Sequence, residues 1–182
     1  MPRSAPKPLD IDGLMTYAAR TLGGRAQSSS ELREKLRRRA ARKEDVDQVL
    51  SRLKDAGYLN DKRFAESFAN WRRDNAGFGK TRVVRDLMAR RVAPALARQA
   101  TDTAYIESDE TAMIEQFLAR KYRGKDLNAL LTEEKHLAAA YRKLRGAGFS
   151  GGNSIRVLKR YAAEADRLEA LAEVDEDEER SS

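Results

Sequence analysis

Two arginine-rich runs hold the residues best suited to chemistry. Residues 30–43 carry Arg33, Lys35, Arg37, Arg38, Arg39, Arg42 and Lys43 against Glu31 and Glu34, a net of +5. Residues 72–98 carry Arg72, Arg73, Lys80, Arg82, Arg85, Arg90, Arg91 and Arg98 against Asp74 and Asp86, a net of +6. A guanidinium is a planar fork of donors that matches a phosphate or a carboxylate. Such runs suit binding to phosphates or to acidic patches on a protein filament. The residues expected to face a partner or nucleic acid are Arg37, Arg38, Arg42, Arg72, Arg73, Lys80, Arg82, Arg85 and Arg90. Arg82 and Arg85 stand three apart and flank an apolar helical stripe. The competing reading is a solvated helix face, and the two weigh equally.

Catalytic chemistry finds little support. Gly77-Phe78-Gly79-Lys80-Thr81 ends like a phosphate-binding loop, but the motif needs glycine five residues before Gly79, where Asp74 stands. A turn and a helix start are expected there instead. His136 is the sole histidine, and with no cysteine a zinc site is not expected. The pairs Asp45/Asp47, Asp109/Glu110 and Glu133/Glu134 fall at helix starts, where carboxylates complement the dipole. No catalytic residue, metal or cofactor is therefore expected. Trp71 could form a base-stacking platform. Its three- and four-residue spacing from Phe68 and Phe64 instead favours a buried stripe.

These side chains require helices to position them. The most informative joint is Asp55-Ala56-Gly57-Tyr58-Leu59-Asn60-Asp61-Lys62-Arg63-Phe64-Ala65. Gly57 can take the left-handed conformation that closes a helix, Asn60 can cap the next one, and Asp61 favours its positive end. Tyr58 and Leu59 are expected to pin both helices. A first unit places Leu14 and Ala18, Leu32 and Leu36, then Val46, Val49, Leu50 and Leu53 on three apolar faces. A second buries Phe64, Ala65, Phe68 and Trp71, then Val83, Val84, Leu87 and Met88, with Pro94 opening a third helix. A third uses Met113, Ile114, Phe117 and Leu118, a polar connection from Tyr122 to Asn128, then Leu137, Tyr141 and Leu144. Its last helix holds Ile155, Val157, Leu158 and Tyr161, and is expected to run on as a polar helix into an acidic tail.

The units read as divergent repeats. Leu36, Leu87 and Leu144 occupy matching points, each followed five residues on by Ala41, Val92 or Phe149. Gly57-Tyr58-Leu59 echoes as Ala104-Tyr105-Ile106. The expected division is a disordered leader over 1–10, three-helix repeats over 11–57, 58–107 and 108–166, and an acidic tail over 167–182. The fold class is all-α, an elongated, curved array of three tandem repeats.

Composition agrees with helix, and limits the chemistry. Charged residues are 36% of the chain, Cys is absent and Pro is rare, so disulfides and thiolate metal sites are excluded. No apolar run approaches the ~20 residues of a membrane span, and Met1 to Pro8 lacks the apolar core of a secretory signal. Residues 169–182 carry −6, which leaves +13 on residues 1–168 of a chain at +7. A basic body with an acidic tail suits a polyanionic target, the tail being read as a solubilising end.

Taken together, these residues resemble the RecX family of regulators of the bacterial recombinase RecA. The resemblance rests on Ser30-Glu31-Leu32-Arg33-Glu34-Lys35-Leu36, on Val46 to Leu53 with Gly57-Tyr58-Leu59-Asn60-Asp61 and Arg63-Phe64-Ala65, on Gly77-Phe78-Gly79-Lys80 with Val83 and Leu87, and on Gly148-Phe149-Ser150 with Ile155 and Leu158. It covers about residues 12–162. Arg38-Arg39-Ala40-Ala41-Arg42 stands where the family often has a glycine-containing turn, and the acidic end lies outside the resemblance. The resemblance implies three tandem three-helix repeats. It also implies a cytoplasmic monomer that binds in the groove of a RecA–single-stranded DNA filament and is not an enzyme. Inhibition of ATP hydrolysis, co-protease activity and strand exchange would follow, and with it regulation of DNA repair and the SOS response. The alternative is a helix-turn-helix DNA-binding protein acting without recombinase, but its recognition helix would concentrate the basic residues that this chain spreads.

Overall fold

Leucine, valine and alanine recur at three- and four-residue spacing, and each such stripe becomes one helix. The computed structural model describes residues 7–162 and residue 165. Among them the regular structure is helical: α1 (Ile11–Gly24), α2 (Ser29–Arg37), α3 (Lys43–Asp55), α4 (Asp61–Trp71), a π-helical turn (Arg72–Ala76), α5 (Lys80–Ala89), α6 (Pro94–Ala104), α7 (Glu110–Lys121), α8 (Leu127–Leu131), α9 (Glu134–Gly146) and α10 (Gly151–Leu158). The described chain forms two compact units, 7–68 with 86–100, and 69–85 with 101–162 and 165. The division runs through α4, α5 and α6.

In the first unit α1, α2 and α3 enclose Leu14, Leu32, Leu36, Val49, Leu50 and Leu53. The helix starts are capped as their sequences suggest. Asp10 accepts from the Gly13 amide at 2.9 Å, Ser28 from Glu31 at 3.0 Å and Asn60 from Arg63 at 2.9 Å. Gly57 has φ of 74°, and the Tyr58 amide returns to the Leu53 carbonyl, closing α3 as the joint predicts. The expected leader lies outside the described residues as far as residue 6. Leu9, near its end, donates to the Arg39 carbonyl and accepts from the Ala41 amide, forming an isolated bridge with Ala40.

In the second unit α7, α9 and α10, with α8, surround Ile114, Leu118, Tyr141, Leu144, Phe149 and Leu158. Glu110 in the first turn of α7 ties this group together. It accepts from the Ser150 amide at 2.9 Å, from the Ser150 hydroxyl at 2.6 Å and from the Asn153 side chain. The connection expected to be polar from Tyr122 to Asn128 ends in α8, capped by Asp126, whose Leu131 is fully buried.

Four sequence expectations are corrected. Trp71 is 55% exposed rather than part of the core, and Tyr58 stands in solvent while only Leu59 is buried. Met88 is also exposed, so Val83 and Leu87 anchor α5. Helix α10 does not run on: residues 159–161 form a turn as the Arg160 amide returns to Val157 and the Tyr161 amide to Leu158. The acidic tail over 167–182 lies outside the described residues.

Candidate nucleic-acid interface

The second unit carries the densest group of the expected site residues, built on the segment that joins α4 to α5. Helix α4 gives way after Trp71 to the π-helical turn, a wider coil common near functional sites. The segment is then held from three sides. Arg73 donates to the Ala104 carbonyl at the end of α6. Arg120 on α7 donates to the Ala76 carbonyl at 2.7 Å, and the Tyr105 hydroxyl donates to the Phe78 carbonyl. Burial holds the Tyr105 phenol well above its ordinary range, so it remains a donor at an alkaline pH where a free phenol would ionise.

The start of α5 is fixed by a close backbone approach. The Gly79 amide donates to the Ala147 carbonyl at 2.9 Å and the Thr81 amide to Gly148 at 3.3 Å. A Cβ on Gly79 would lie 2.2 Å from the Gly148 oxygen, and one on Gly148 would lie 2.2 Å from the Arg82 nitrogen. Two glycines therefore let the α9–α10 turn meet the first turn of α5.

This scaffold gathers two expected arginines on one ring. The Arg72 guanidinium lies 5.3 Å from the Phe78 centroid and that of Arg82 5.4 Å from it. Arg72 also lies 5.7 Å from the Trp71 centroid. Contacts of this kind place the cation against the negative face of the ring. Arg82 additionally donates to the Gly146 carbonyl at 3.4 Å. Lys80 pairs with Asp102 at 2.8 Å in solvent, and Arg85 is exposed on the same helix. Arg73 is engaged with Asp74 at 2.7 Å, which raises the arginine's pKa and lowers the carboxyl's. Beside it a shallow cleft of about 400 Å³ is lined by Arg73, Gly77, Asp109, Met113, Phe117 and Arg120.

In the first unit the expected residues are differently employed. Arg42 grips Asp45 through both carboxylate oxygens, at 2.8 and 3.2 Å, and Asp45 is only 1% exposed. Arg90 lies 3.7 Å from Glu31 and 5.6 Å from the Phe68 centroid, while its carbonyl accepts from the Ser28 hydroxyl at 2.6 Å. Arg38 pairs with Glu34 at 3.3 Å, and Arg37 is exposed in the last turn of α2. Arg42 and Arg90 therefore tie side chains of the fold together, while Arg37, Arg38 and the body of Arg42 reach solvent.

Sequence reasoning missed the supporting residues. Tyr105, Arg120 and the Gly79–Gly148 contact act across more than twenty residues of chain, and no local pattern announces them. Phe78 was legible only as part of a turn. The other candidates keep structural roles. His136 lies on the surface of α9, 3.4 Å from Glu133. Asp109 caps α7, its pKa lowered by the Thr111 hydroxyl and the Ala112 amide. Among the described residues no cluster of three His, Cys, Asp or Glu could hold a metal, and no helix is long and apolar enough to cross a membrane.

Comparison with known proteins agrees with this architecture. The family model for the first three-helix domain of RecX matches residues 15–53, and that for the second matches residues 60–100. The chain is 31% identical over 129 residues to the regulatory protein RecX of Trichlorobacter lovleyi, across 71% of this chain and 84% of the relative. It is 29% identical over 149 residues to regulatory protein RecX of Streptomyces coelicolor, across 82% and 77%. Its fold is similar to the crystal structure of RecX from Lactobacillus salivarius, with a TM-score of 0.62 at 18% identity, over 83% of this chain and 96% of that one. The chain belongs to the RecX family.

Proposed function

We propose that this chain modulates the RecA recombinase, mostly by inhibition, from within the groove of the RecA–single-stranded DNA filament. Binding there lowers ATP hydrolysis, co-protease activity and strand exchange, and so regulates DNA repair and the SOS response in the cytoplasm. The working form is a monomer of three tandem three-helix repeats over 11–57, 58–107 and 108–166. The observation that carries this reading is membership of a family whose curated relatives are regulatory proteins. The spread of exposed cations over both units supports it, since a filament offers a long polyanionic path.

The test is ATP hydrolysis by preassembled RecA filaments, titrated with this protein well below the RecA concentration. Loss of hydrolysis at substoichiometric protein is expected, because competition for bare DNA could not act at that ratio. An unchanged rate at every ratio would refute the reading. Reversing the charge at two cations of α5 with Arg82→Glu and Arg85→Glu is expected to weaken inhibition while circular dichroism stays helical. Full inhibition by that variant would move the interface to another face. Tight, sequence-selective duplex binding without recombinase would favour the helix-turn-helix alternative.

A further inference from the structure

We infer that the turn between α7 and α8 binds the phosphodiester backbone of a nucleic acid through Lys121, Arg123 and Lys125, without reading its bases. The inference rests on the filament reading for its ligand, and it names a surface outside the residues expected from the sequence. Residues 120–125 carry Arg120, Lys121, Arg123 and Lys125 and no acid. Arg120 is engaged with the Ala76 carbonyl. The other three are exposed and have no hydrogen bond, ion pair or ring contact among the described residues. The run 37–43 is denser in cations but less available. There Arg38 pairs with Glu34, Arg39 lies 5.5 Å from the Tyr17 centroid, and Arg42 grips Asp45.

The backbone under these three cations is ordered. The Lys125 amide donates to the Tyr122 carbonyl at 3.0 Å and Gly124 takes φ of 77°, which closes a tight turn with Arg123 and Gly124 at its tip. Tyr122 packs against the core of the second unit. Lys143 of α9 lies 4.9 Å from its ring centroid and donates to its hydroxyl at 3.3 Å. The carboxylate next in sequence, Asp126, is turned to α8, where it accepts from the Asn128 and Ala129 amides at 2.9 and 3.3 Å. Three like charges held this close repel one another, and a bound anion relieves the repulsion. The surroundings select the class of anion. A protein partner needs apolar or aromatic anchors at the centre of the contact. Among the described residues the exposed large hydrophobics are Tyr58, Trp71, Met88 and Ile106, and none stands on α7, α8, α9 or this turn. A phosphate backbone asks only for cations.

The experiment measures binding of the full-length chain to labelled oligothymidylate and oligodeoxyadenylate by anisotropy, between about 50 and 200 mM salt. Neutralising the turn with Lys121→Gln, Arg123→Gln and Lys125→Gln should lower the slope of log affinity against log salt by about 2, since each contact to a single strand contributes roughly 0.7. The affinity lost should then be roughly twentyfold larger at the low end of that range than at the high end, and equal for the two oligonucleotides. The charge-keeping exchange Lys121→Arg, Arg123→Lys and Lys125→Arg should restore the slope. An unchanged slope in a neutralised variant that stays helical by circular dichroism would overturn the inference. So would an equal fall on Arg20→Gln, Arg52→Gln and Lys54→Gln, exposed cations of the first unit, because only the net charge of the chain would then matter. Loss of RecA binding without DNA, at the wild-type oligonucleotide slope, would assign the turn to a protein contact and also overturn it. RecA ATP hydrolysis scores the filament reading separately. A lowered slope, with no effect of the wild-type chain on RecA, would sink that reading and leave the turn standing, while inhibition with an unchanged slope would do the reverse.

Discussion

Helices α5 and α9 end in the same turn, but with different residues at its left-handed position. In α5 the Val92 amide returns to the Leu87 carbonyl at 3.1 Å and the Arg91 amide to Met88 at 2.8 Å. In α9 the Phe149 amide returns to Leu144 at 3.2 Å and the Gly148 amide to Arg145 at 2.9 Å. Both are helix closures through a left-handed residue, with φ of 59° at Arg91 and 90° at Gly148. Hydrogen bonding therefore does not decide which residue stands there. The surroundings do: the Arg91 side chain extends into solvent, whereas the space beside Gly148 is filled by the Arg82 backbone. The difference separates what a turn needs from what tertiary contact adds. A left-handed residue is a local cost that an exposed arginine can carry, and a backbone contact removes that choice.

The largest effect should follow from breaking the crowded member. Gly148→Ala adds the cost of a left-handed alanine, and its Cβ meets backbone atoms that cannot swing aside. A loss of about 3 kcal/mol or more is expected by denaturant unfolding, in the range of overpacked cores. Gly79→Ala lacks the left-handed penalty but meets the Gly148 carbonyl, so it should cost less. Because both substitutions separate the same pair of backbones, the double variant should cost clearly less than the two losses together. Full additivity would show that the contact is not shared.

A smaller loss should follow from the other clamp on the same loop. Tyr105→Phe keeps the packing but leaves the Phe78 carbonyl without its hydroxyl partner, a cost of about 1–2 kcal/mol. The effect should depend on alkaline pH. Burial raises the folded pKa of Tyr105, so below the unfolded value of about 10 the phenol is neutral in both states and its full contribution is present. Above that pH the unfolded phenol ionises first, and stability falls as pH rises toward the folded value. The gap between wild type and Tyr105→Phe should therefore narrow above about pH 10. Comparing the two proteins cancels the lysines, and a constant gap would refute the buried neutral phenol.

The Arg91–Gly148 comparison also marks how far the sequence could be read. Leu36, Leu87 and Leu144, aligned from sequence, are all fully buried, and Leu87 and Leu144 accept the same closing amide bonds. The joint at Gly57 and the cap at Asn60 were equally legible, because each depends on its immediate neighbours. Trp71 was not. At about 100° per residue, Ala65 and Ala69 set the inward line of α4, and Trp71 lies farther round from it than Phe64 or Phe68. An aromatic stripe reads as core unless the small residues beside it are seen to be the true centre. For the arginines, composition marks the positions but not their duties. Arg42 and Arg82 are both arginines at helix starts, yet one grips a buried carboxylate while the other stacks on a ring.

The smallest effect has the opposite sign and concerns the open member of the pair. Arg91 holds φ of 59°, where an L-residue pays roughly 1–2 kcal/mol that glycine does not. Glycine in turn gives up about 0.4–1 kcal/mol through the greater freedom of its unfolded chain. Arg91→Gly should therefore stabilise the protein by about 0.5–1 kcal/mol, read as a rise in denaturation midpoint at constant slope. Gly148→Arg, the reciprocal exchange, should unfold the second unit, since no rotamer relieves a clash that begins at Cβ. If Arg91→Gly were neutral or destabilising, the arginine side chain would have to be making a compensating contribution. RecA ATP hydrolysis measured with the same variant would then show whether that contribution is functional: an effect different from the wild type's would add Arg91 to the cations of the proposed interface, and an unchanged effect would confine it to the fold.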